Sequence, residues 1–213
     1  MILKVRKSNT SGKIKIPGSK SHTIRGLFFA SLAKGKSEIR NPLISDDAES
    51  AIETCKALGA KIQVLEDKYI VEGFNAEPSA PGDVINVGNS GTTLRFGTVT
   101  AALGEGYSVF TGDQQIRKRP LGSLLKAINN LGAQAISTRN NDMAPVIVKG
   151  KIKGGVTDLD SVTSQYLSAL LINAPLFEKD TEINITRLNE IPYVDITLWW
   201  LDKLGIKYEN NNY

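Results

Sequence analysis

The sequence of 213 residues contains one cysteine, Cys55, and one histidine, His22. A single cysteine excludes an internal disulfide, and one cysteine with one histidine cannot supply the ligands of a Cys/His zinc site. Metal-centred chemistry is therefore not expected for this protein.

Long apolar runs and a strong charge bias are also missing. No run approaches the roughly 18 residues of a membrane-spanning helix, and Met1–Ser11 has no apolar core of signal-peptide length. We therefore expect a cytoplasmic protein that does not enter a membrane. The formal net charge is only +4. The basic run Arg117–Arg119 is short and has no interleaved aromatic residues, so no nucleic-acid partner is expected.

What the sequence does contain is an internal repeat. Leu58-Gly59-Ala60 recurs as Leu131-Gly132-Ala133 and again as Leu204-Gly205-Ile206, each 73 residues after the last. Each copy ends a stretch whose apolar residues have helical spacing, as in the first copy with Ala48, Ala51, Ile52 and Cys55 before Leu58. The glycine after each last apolar residue suits the left-handed position that follows a helix.

The same order of elements precedes each of these helices: a strand, a small or polar turn, a more uniformly apolar helix, and another strand. A hairpin follows the glycine in the first two copies. In the first copy the predicted strands are Lys13–Ile16, a strand around Ile39, Lys61–Leu65 and Tyr69–Glu72. In the second they are Val84–Val87, Tyr107–Phe110, Ala133–Ile136 and Val146–Val148. In the third they are Val156–Leu159, Thr181–Thr186 and Ile206–Tyr208.

This pattern predicts an α/β fold of three βαβαββ repeats at residues 13–73, 83–150 and 154–213. The third repeat stops after its first closing strand, which indicates a fragment cut within that repeat. Residues 2–6 alternate like a strand, lie outside the repeat and need a pairing partner; the alternative is a frayed edge strand.

Three turns before apolar helices are candidate anion sites. They are Pro17–Ser21 with Arg25, Gly88–Thr92 with Arg95, and Thr163–Gln165. Free backbone N–H groups and the helix dipole favour an anion at such positions. Serine, threonine and asparagine there are also ordinary N-caps, which is the structural alternative for any one turn. The triplication, with Lys20, Arg25 and Arg95 nearby, favours three helix starts that converge on one anion site.

Two further sets of polar residues have ordinary structural explanations. Asp46 and Asp47 precede an amphipathic helix, so we expect them to cap it. His22 lies beside the first anion turn but has no evident catalytic partner, so a structural role is expected.

The turns with their arginines, together with Arg119-Pro120, Ser161–Gln165 and Pro192-Tyr193, closely resemble the N-terminal half of the 5-enolpyruvylshikimate-3-phosphate (EPSP) synthase family. The resemblance covers nearly the whole chain in order. It implies two domains, each of three βαβαββ units around a pseudo-threefold axis, in a protein about twice this length. Residues 13–213 would then form one such domain, and residues 1–12 would be a strand and linker belonging to the missing second domain.

The resemblance also implies a reaction of the shikimate pathway of aromatic amino-acid biosynthesis. The enolpyruvyl group of phosphoenolpyruvate is transferred to the 5-hydroxyl of shikimate 3-phosphate, phosphate is released, and no cofactor is needed. The implied shikimate 3-phosphate contacts are Ser21, Arg25, Thr163, Ser164, Gln165 and Tyr193. The implied phosphoenolpyruvate contacts are Lys20, Gly91, Arg119 and Gln165, with Lys20 also a candidate for proton transfer.

Three residues depart from the family pattern. Glu190 stands where a serine is expected near the shikimate phosphate, and its carboxylate would repel that phosphate unless it turns away or pairs with Arg187. Phe96 replaces a common proline after Arg95, and His22 is not the expected residue. The family's acid/base carboxylates belong to the missing domain, so we expect the chain to be inactive alone.

Two alternatives remain at this stage. UDP-N-acetylglucosamine enolpyruvyl transferase shares the fold and chemistry, but its reactive loop cysteine is replaced here by Gln114, and Cys55 lies on the apolar face of a helix. The other alternative is a non-catalytic phosphate- or RNA-binding module. A steep salt dependence of RNA binding would favour that module, whereas stabilisation by shikimate 3-phosphate would favour the synthase.

Overall fold

The computed structural model describes residues 2–211. Six α-helices are present in this range: α1 (Lys20–Leu32), α2 (Asp46–Ala57), α3 (Gly91–Ala101), α4 (Gly122–Asn130), α5 (Ser164–Asn173) and α6 (Ile191–Lys203). Nine strands accompany them: β1 (Lys34–Arg40), β2 (Lys61–Val64), β3 (Lys68–Phe74), β4 (Ile85–Asn86), β5 (Tyr107–Thr111), β6 (Gln134–Ser137), β7 (Val146–Lys149), β8 (Gly155–Ser161) and β9 (Thr181–Leu188).

The strands form three separate sheets. The first has the order β1-β3-β2 and is antiparallel throughout. The second has the order β4-β5-β7-β6, in which β4 and β5 are parallel and the other pairs antiparallel. The third consists of the parallel pair β8-β9. The β1-β3-β2 order matches β5-β7-β6, and the β4-β5 pair matches β8-β9.

The predicted hairpins are present as β2-β3 and β6-β7, but two predicted strands, Lys13–Ile16 and Ile206–Tyr208, are wrong. The strand expected at residues 2–6, with a partner outside this chain, stays a prediction. Residues 2–6, Lys13–Ile16 and Ile206–Tyr208 form no strand in the described chain. Ile14 and Ile16 are 84% and 72% exposed. A strand needs a ladder partner, and alternating side chains alone do not supply one. Ile206 instead packs on the core, and its N–H donates to the carbonyl of Leu201, which continues the turn after α6.

The helices are of two kinds, as the sequence predicted. In α1, α3 and α5 nearly every position is buried, whereas α2, α4 and α6 bury one face. The apolar stretch of α6 differs at its end, because Leu204 is half exposed. Gly59, Gly132 and Gly205 all have positive φ after α2, α4 and α6, which confirms the predicted left-handed positions.

One core unites all three sheets with the helices. Within it, α1 packs on α2, α3 and α6, and α5 packs on both α3 and α6. Phe28 of α1 and Phe96 of α3 meet edge to face with ring centroids 5.5 Å apart. In residues 2–211 no helix is long and apolar enough to cross a membrane.

Gly73 of β3 lies under the end of α1, and this contact generates a stability prediction. A Cβ on Gly73 would stand 2.2 Å from the carbonyl oxygen of Ala33 and 2.5 Å from that of Ala30. These are backbone atoms that cannot rotate away, so Gly73→Ala should lower the unfolding free energy by about 1–3 kcal/mol. Gly82→Ala is the matched control, because a Cβ there meets nothing within 4 Å. Urea unfolding of the two variants checks this, and equal midpoints would contradict it.

Candidate functional site

Each of the three buried helices begins at a hydroxyl side chain. Ser19 Oγ accepts from the N–H of His22 at 3.4 Å, Ser90 Oγ from that of Thr93 at 3.4 Å, and Thr163 Oγ1 from that of Gln165 at 3.5 Å. These hydroxyls therefore act as N-caps. A cap satisfies one of several free N–H groups, so the positive end of each helix can still attract an anion.

The three helix starts contribute to one polar cavity of about 260 Å³. Its lining residues are Lys20 of α1, Asn89, Ser90, Gly91 and Thr92 at the start of α3, Gln165 of α5, Arg119 before α4, and Asp46, Asp47 and Ser50 of α2. The cavity thus brings together all four residues expected on the phosphoenolpyruvate side.

Gly91 lies at the centre of this group. A Cβ on Gly91 would be 2.7 Å from Nη1 of Arg95, 3.0 Å from Nη1 of Arg119 and 3.3 Å from Oε1 of Gln165. Glycine therefore lets two guanidinium groups and an amide approach the start of α3. Arg119 is oriented by Asn89, whose Oδ1 accepts from Nη2 of Arg119 at 3.2 Å.

Two acidic residues of the cavity were not predicted as site residues. Ser45, not Asp46 or Asp47, caps α2, because its Oγ accepts from the N–H of Ala48 at 3.3 Å. Asp47 Oδ2 lies 3.5 Å from Nζ of Lys20, whose side chain is half exposed. Carboxylates are common in the first turn of any helix, so residue type alone gave no signal for this contact.

Arg25 holds α1 against α5 and α6. Its guanidinium is 3% exposed. Nε donates to Thr197 Oγ1 at 2.8 Å, Nη1 to the carbonyl of Ser21 at 3.1 Å, and Nη2 to Ser168 Oγ at 3.0 Å and to the carbonyl of Tyr193 at 2.8 Å. Four of the five N–H donors of an arginine are thus engaged. Burial lowers the pKa of Arg25 to about 10, against an opposing contribution from Tyr193.

Arg95 has the matching position on α3. Its Nη1 donates to the carbonyl of Gly91 at 3.1 Å, as that of Arg25 does to Ser21, and its Nη2 donates to the carbonyl of Pro120 at 3.0 Å. Burial lowers the pKa of Arg95, and the nearby charge of Arg119 adds to this effect, while Tyr166 opposes it.

Phe96 and His22, which depart from the family pattern, have structural contacts. Phe96 is fully buried, its ring lies 5.3 Å from the guanidinium carbon of Arg25, and α3 begins at Gly91 regardless of the missing proline. His22 meets Trp199 edge to face with ring centroids 5.3 Å apart. Burial, and then the charge of Arg25, lower the pKa of His22.

The third departure, Glu190, immediately precedes α6, and its carboxylate contacts the start of α5. Its Oε2 accepts from Thr163 Oγ1 at 3.0 Å, from Ser164 Oγ at 3.0 Å and from the Ser164 N–H at 3.1 Å. The carboxylate neither turns away nor pairs with Arg187, which instead forms a bidentate salt bridge with Asp160 at 2.7 and 2.6 Å. Burial alone would raise the pKa of Glu190, but these hydrogen bonds outweigh it and lower the pKa.

The predicted residues therefore form three groups in the structure. Lys20, Gly91, Arg119 and Gln165 line the cavity; Ser21 and Tyr193 meet at Arg25 through their backbone carbonyls; and Thr163 and Ser164 hold Glu190. The groups adjoin one another along the chain, because Lys20 precedes Ser21 and Ser164 precedes Gln165.

Comparison with known proteins points to one family. The sequence profile of EPSP synthase (3-phosphoshikimate 1-carboxyvinyltransferase) matches residues 5–213. A 3-phosphoshikimate 1-carboxyvinyltransferase of Acetivibrio thermocellus is 74% identical over 213 residues, which is 100% of this chain and 50% of that protein. The protein of the same name from Ruminiclostridium cellulolyticum is 63% identical over 212 residues, again 100% of this chain and 50% of the relative.

The fold agrees with this similarity. The solved structure of EPSP synthase from Acinetobacter baumannii superposes with a TM-score of 0.84 at 26% identity, over 94% of this chain and 46% of that one. This chain therefore spans about half the length of the relatives that it matches. On these matches, which cover nearly every residue, the chain belongs to the EPSP synthase (3-phosphoshikimate 1-carboxyvinyltransferase) family.

Proposed function

We propose that this chain is the N-terminal half of an enzyme that transfers the enolpyruvyl group of phosphoenolpyruvate to the 5-hydroxyl of shikimate 3-phosphate. Phosphate is released, in a step of aromatic amino-acid biosynthesis. The observation that carries the proposal is the shared cavity at the starts of α1, α3 and α5. Both substrates carry several negative charges, and helix N-termini with lysine and arginine provide the complementary charge.

The three sheets support a proposal about the architecture. Their matching strand orders favour three βαβαββ units around a pseudo-threefold axis, at residues 13–73, 83–150 and 154–213. The first lacks the parallel strand equivalent to β4, and in the third the described residues contain β8 and β9 but no hairpin. In this proposal, residues 1–12 and the C-terminal half of the longer protein form the second domain, which is the partner of this chain.

The proposed contacts divide between the two substrates. Shikimate 3-phosphate would bind Ser21, Arg25, Thr163, Ser164, Gln165 and Tyr193. Phosphoenolpyruvate would bind Lys20, Gly91, Arg119 and Gln165. Most N–H donors of Arg25 are engaged within the chain. Arg25 would therefore contribute to substrate binding through its positive charge and by positioning Ser21 and Tyr193.

The proposed reaction begins with protonation of the vinyl methylene of phosphoenolpyruvate, and the shikimate hydroxyl then attacks the cationic carbon and gives up its proton. The tetrahedral intermediate eliminates phosphate together with a proton of the new methyl group, which restores the vinyl group in the product. Lys20 is the proposed proton-transfer residue of this half. Its ammonium group borders the cavity, and Nζ lies 3.5 Å from Oδ2 of Asp47.

The contacts of Cys55 and the basic run argue against the two alternative functions. Cys55 is buried, and burial raises the pKa of its thiol to about 12, so it has no thiolate character at neutral pH. Arg117 Nη1 donates to the carbonyl of Gly112 at 2.7 Å, so this arginine of the basic run fixes local structure.

Gln165→Ala tests the proposed shikimate 3-phosphate site. Loss of a hydrogen bond to a charged group costs about 1.5–3 kcal/mol, so the dissociation constant should rise by roughly 10- to 150-fold. Isothermal titration calorimetry with shikimate 3-phosphate measures it. Gln134→Ala on β6 is the matched control, because that amide is exposed at a sheet edge. Equal affinities of the two variants would contradict the assignment.

Arg119→Ala tests the phosphoenolpyruvate side. In the presence of saturating shikimate 3-phosphate, we expect phosphoenolpyruvate to bind this variant at least tenfold more weakly, because a charged donor at the cavity is lost. Lys118→Ala removes the same charge from the neighbouring exposed residue and should bind like the unaltered chain. The same calorimetric titration compares them, and an equal loss in both variants would indicate only a general effect of charge.

Catalysis provides a separate test. We expect the 213-residue chain alone to release no phosphate from phosphoenolpyruvate and shikimate 3-phosphate, because the proposed second domain supplies further catalytic groups. A phosphate-release assay checks this, with the full-length Acetivibrio thermocellus relative as the positive control. Turnover by the chain alone would contradict the proposed division of the active site.

A further inference from the structure

The donors at the start of α5 converge on a single atom. Ser164 Oγ and Thr163 Oγ1 both lie 3.0 Å from Oε2 of Glu190, and the Ser164 nitrogen lies 3.1 Å from it. Two hydroxyls and a backbone N–H at a helix N-terminus are the donors that a phosphate oxygen requires. The proposed function assigns Thr163 and Ser164 to shikimate 3-phosphate, and these donors fit the phosphate of that ligand.

The backbone conformation of Glu190 directs its side chain toward Thr163 and Ser164 at the start of α5. Glu190 has φ 60° and ψ 40°, in the left-handed region that residues other than glycine seldom adopt. The preceding residue, Asn189, is fixed at both ends: its N–H donates to the carbonyl of Ser161 and its Nδ2 to that of Val162, each at 3.1 Å. The segment before α6 is thus held against the segment before α5.

No cation neutralises the Glu190 carboxylate in the described residues 2–211. Arg187 is the nearest candidate in sequence, and its guanidinium is committed to Asp160. The negative charge is therefore met by the donors and dipole of α5. The Glu190 side chain is otherwise exposed, so it can swing into solvent without disturbing the core.

We propose that the Glu190 carboxylate is an internal competitor of the substrate phosphate, bound to the Thr163 and Ser164 donors of α5 until shikimate 3-phosphate displaces it. This inference rests on the proposed function of that site. A carboxylate and a phosphate cannot share three donors, because two anions at hydrogen-bond distance repel each other strongly. The apparent affinity is then reduced by the fraction of molecules in which Glu190 occupies the donors.

Removal of the competitor should therefore strengthen binding. Glu190→Gln keeps the size of the side chain and removes its charge, and Glu190→Ala removes the acceptor. We expect both to bind shikimate 3-phosphate about tenfold more tightly than the unaltered chain, as for a site that is free in a tenth of the molecules. Shikimate, which lacks the phosphate, should bind all three proteins equally. Isothermal titration calorimetry measures both ligands.

Glu182→Gln on β9 is the matched control, since it removes the same charge at the far end of the strand that leads to Glu190. Its affinity should not change, and an equal gain in this variant would overturn the inference. Thermal unfolding of each variant without ligand shows whether it is folded. If Glu190→Ala does not fold, Glu190→Gln provides the test.

The outcomes separate this inference from the proposed function. One outcome is that shikimate 3-phosphate binds the unaltered chain while the Glu190 variants bind it equally or more weakly. In that case the inference that Glu190 competes with the phosphate is overturned, and the proposed function stands. If shikimate 3-phosphate binds neither the unaltered chain nor any variant, both the competitor inference and the proposed function are overturned. If shikimate gains affinity as much as shikimate 3-phosphate does, Glu190 does not compete with the phosphate, and the inference is again overturned.

Discussion

The shared burial of α1, α3 and α5 determines which ends of these helices reach the candidate site. Because these helices are buried along nearly their whole length, each can present unsatisfied N–H groups only where its first turn reaches the surface. Those first turns border one cavity, which therefore receives the positive ends of three dipoles. Arg25 maintains this arrangement, since its guanidinium connects α1 with side chains or carbonyls of α5 and α6.

These positive groups have partners within the chain. Lys20 lies beside Asp47, Arg119 donates to Asn89, and the start of α5 holds Glu190. Of these groups Ser164 is buried, and a buried donor is costly when unpaired, so its contacts with Glu190 offset that cost. Binding of an anionic substrate would then exchange internal contacts for external ones. The affinity depends on the difference between the two sets of contacts and not on the number of positive groups.

Much of the fold could be predicted because its signals are local. Helical spacing identified the three amphipathic helices, and the glycines after them have the positive φ that the pattern indicated. The two hairpins were also predicted. Lys13–Ile16 and Ile206–Tyr208 have equally regular patterns but are not strands. A strand exists only where another strand offers its hydrogen-bonding edge, and no residue within these segments encodes that edge.

The sequence by itself determined the recurring Leu-Gly motif, the apolar faces, the three helix starts and the family, because each of these follows from residues near one another in the chain. Only the tertiary structure decided what those residues contact. Three of the four hydrogen-bond partners of Arg25 lie 143–172 residues away, and Glu190 reaches Thr163 across 27 residues. Such contacts arise when apolar burial brings distant elements together, and the polar side chains at the boundary must then pair with whatever groups the packing places beside them.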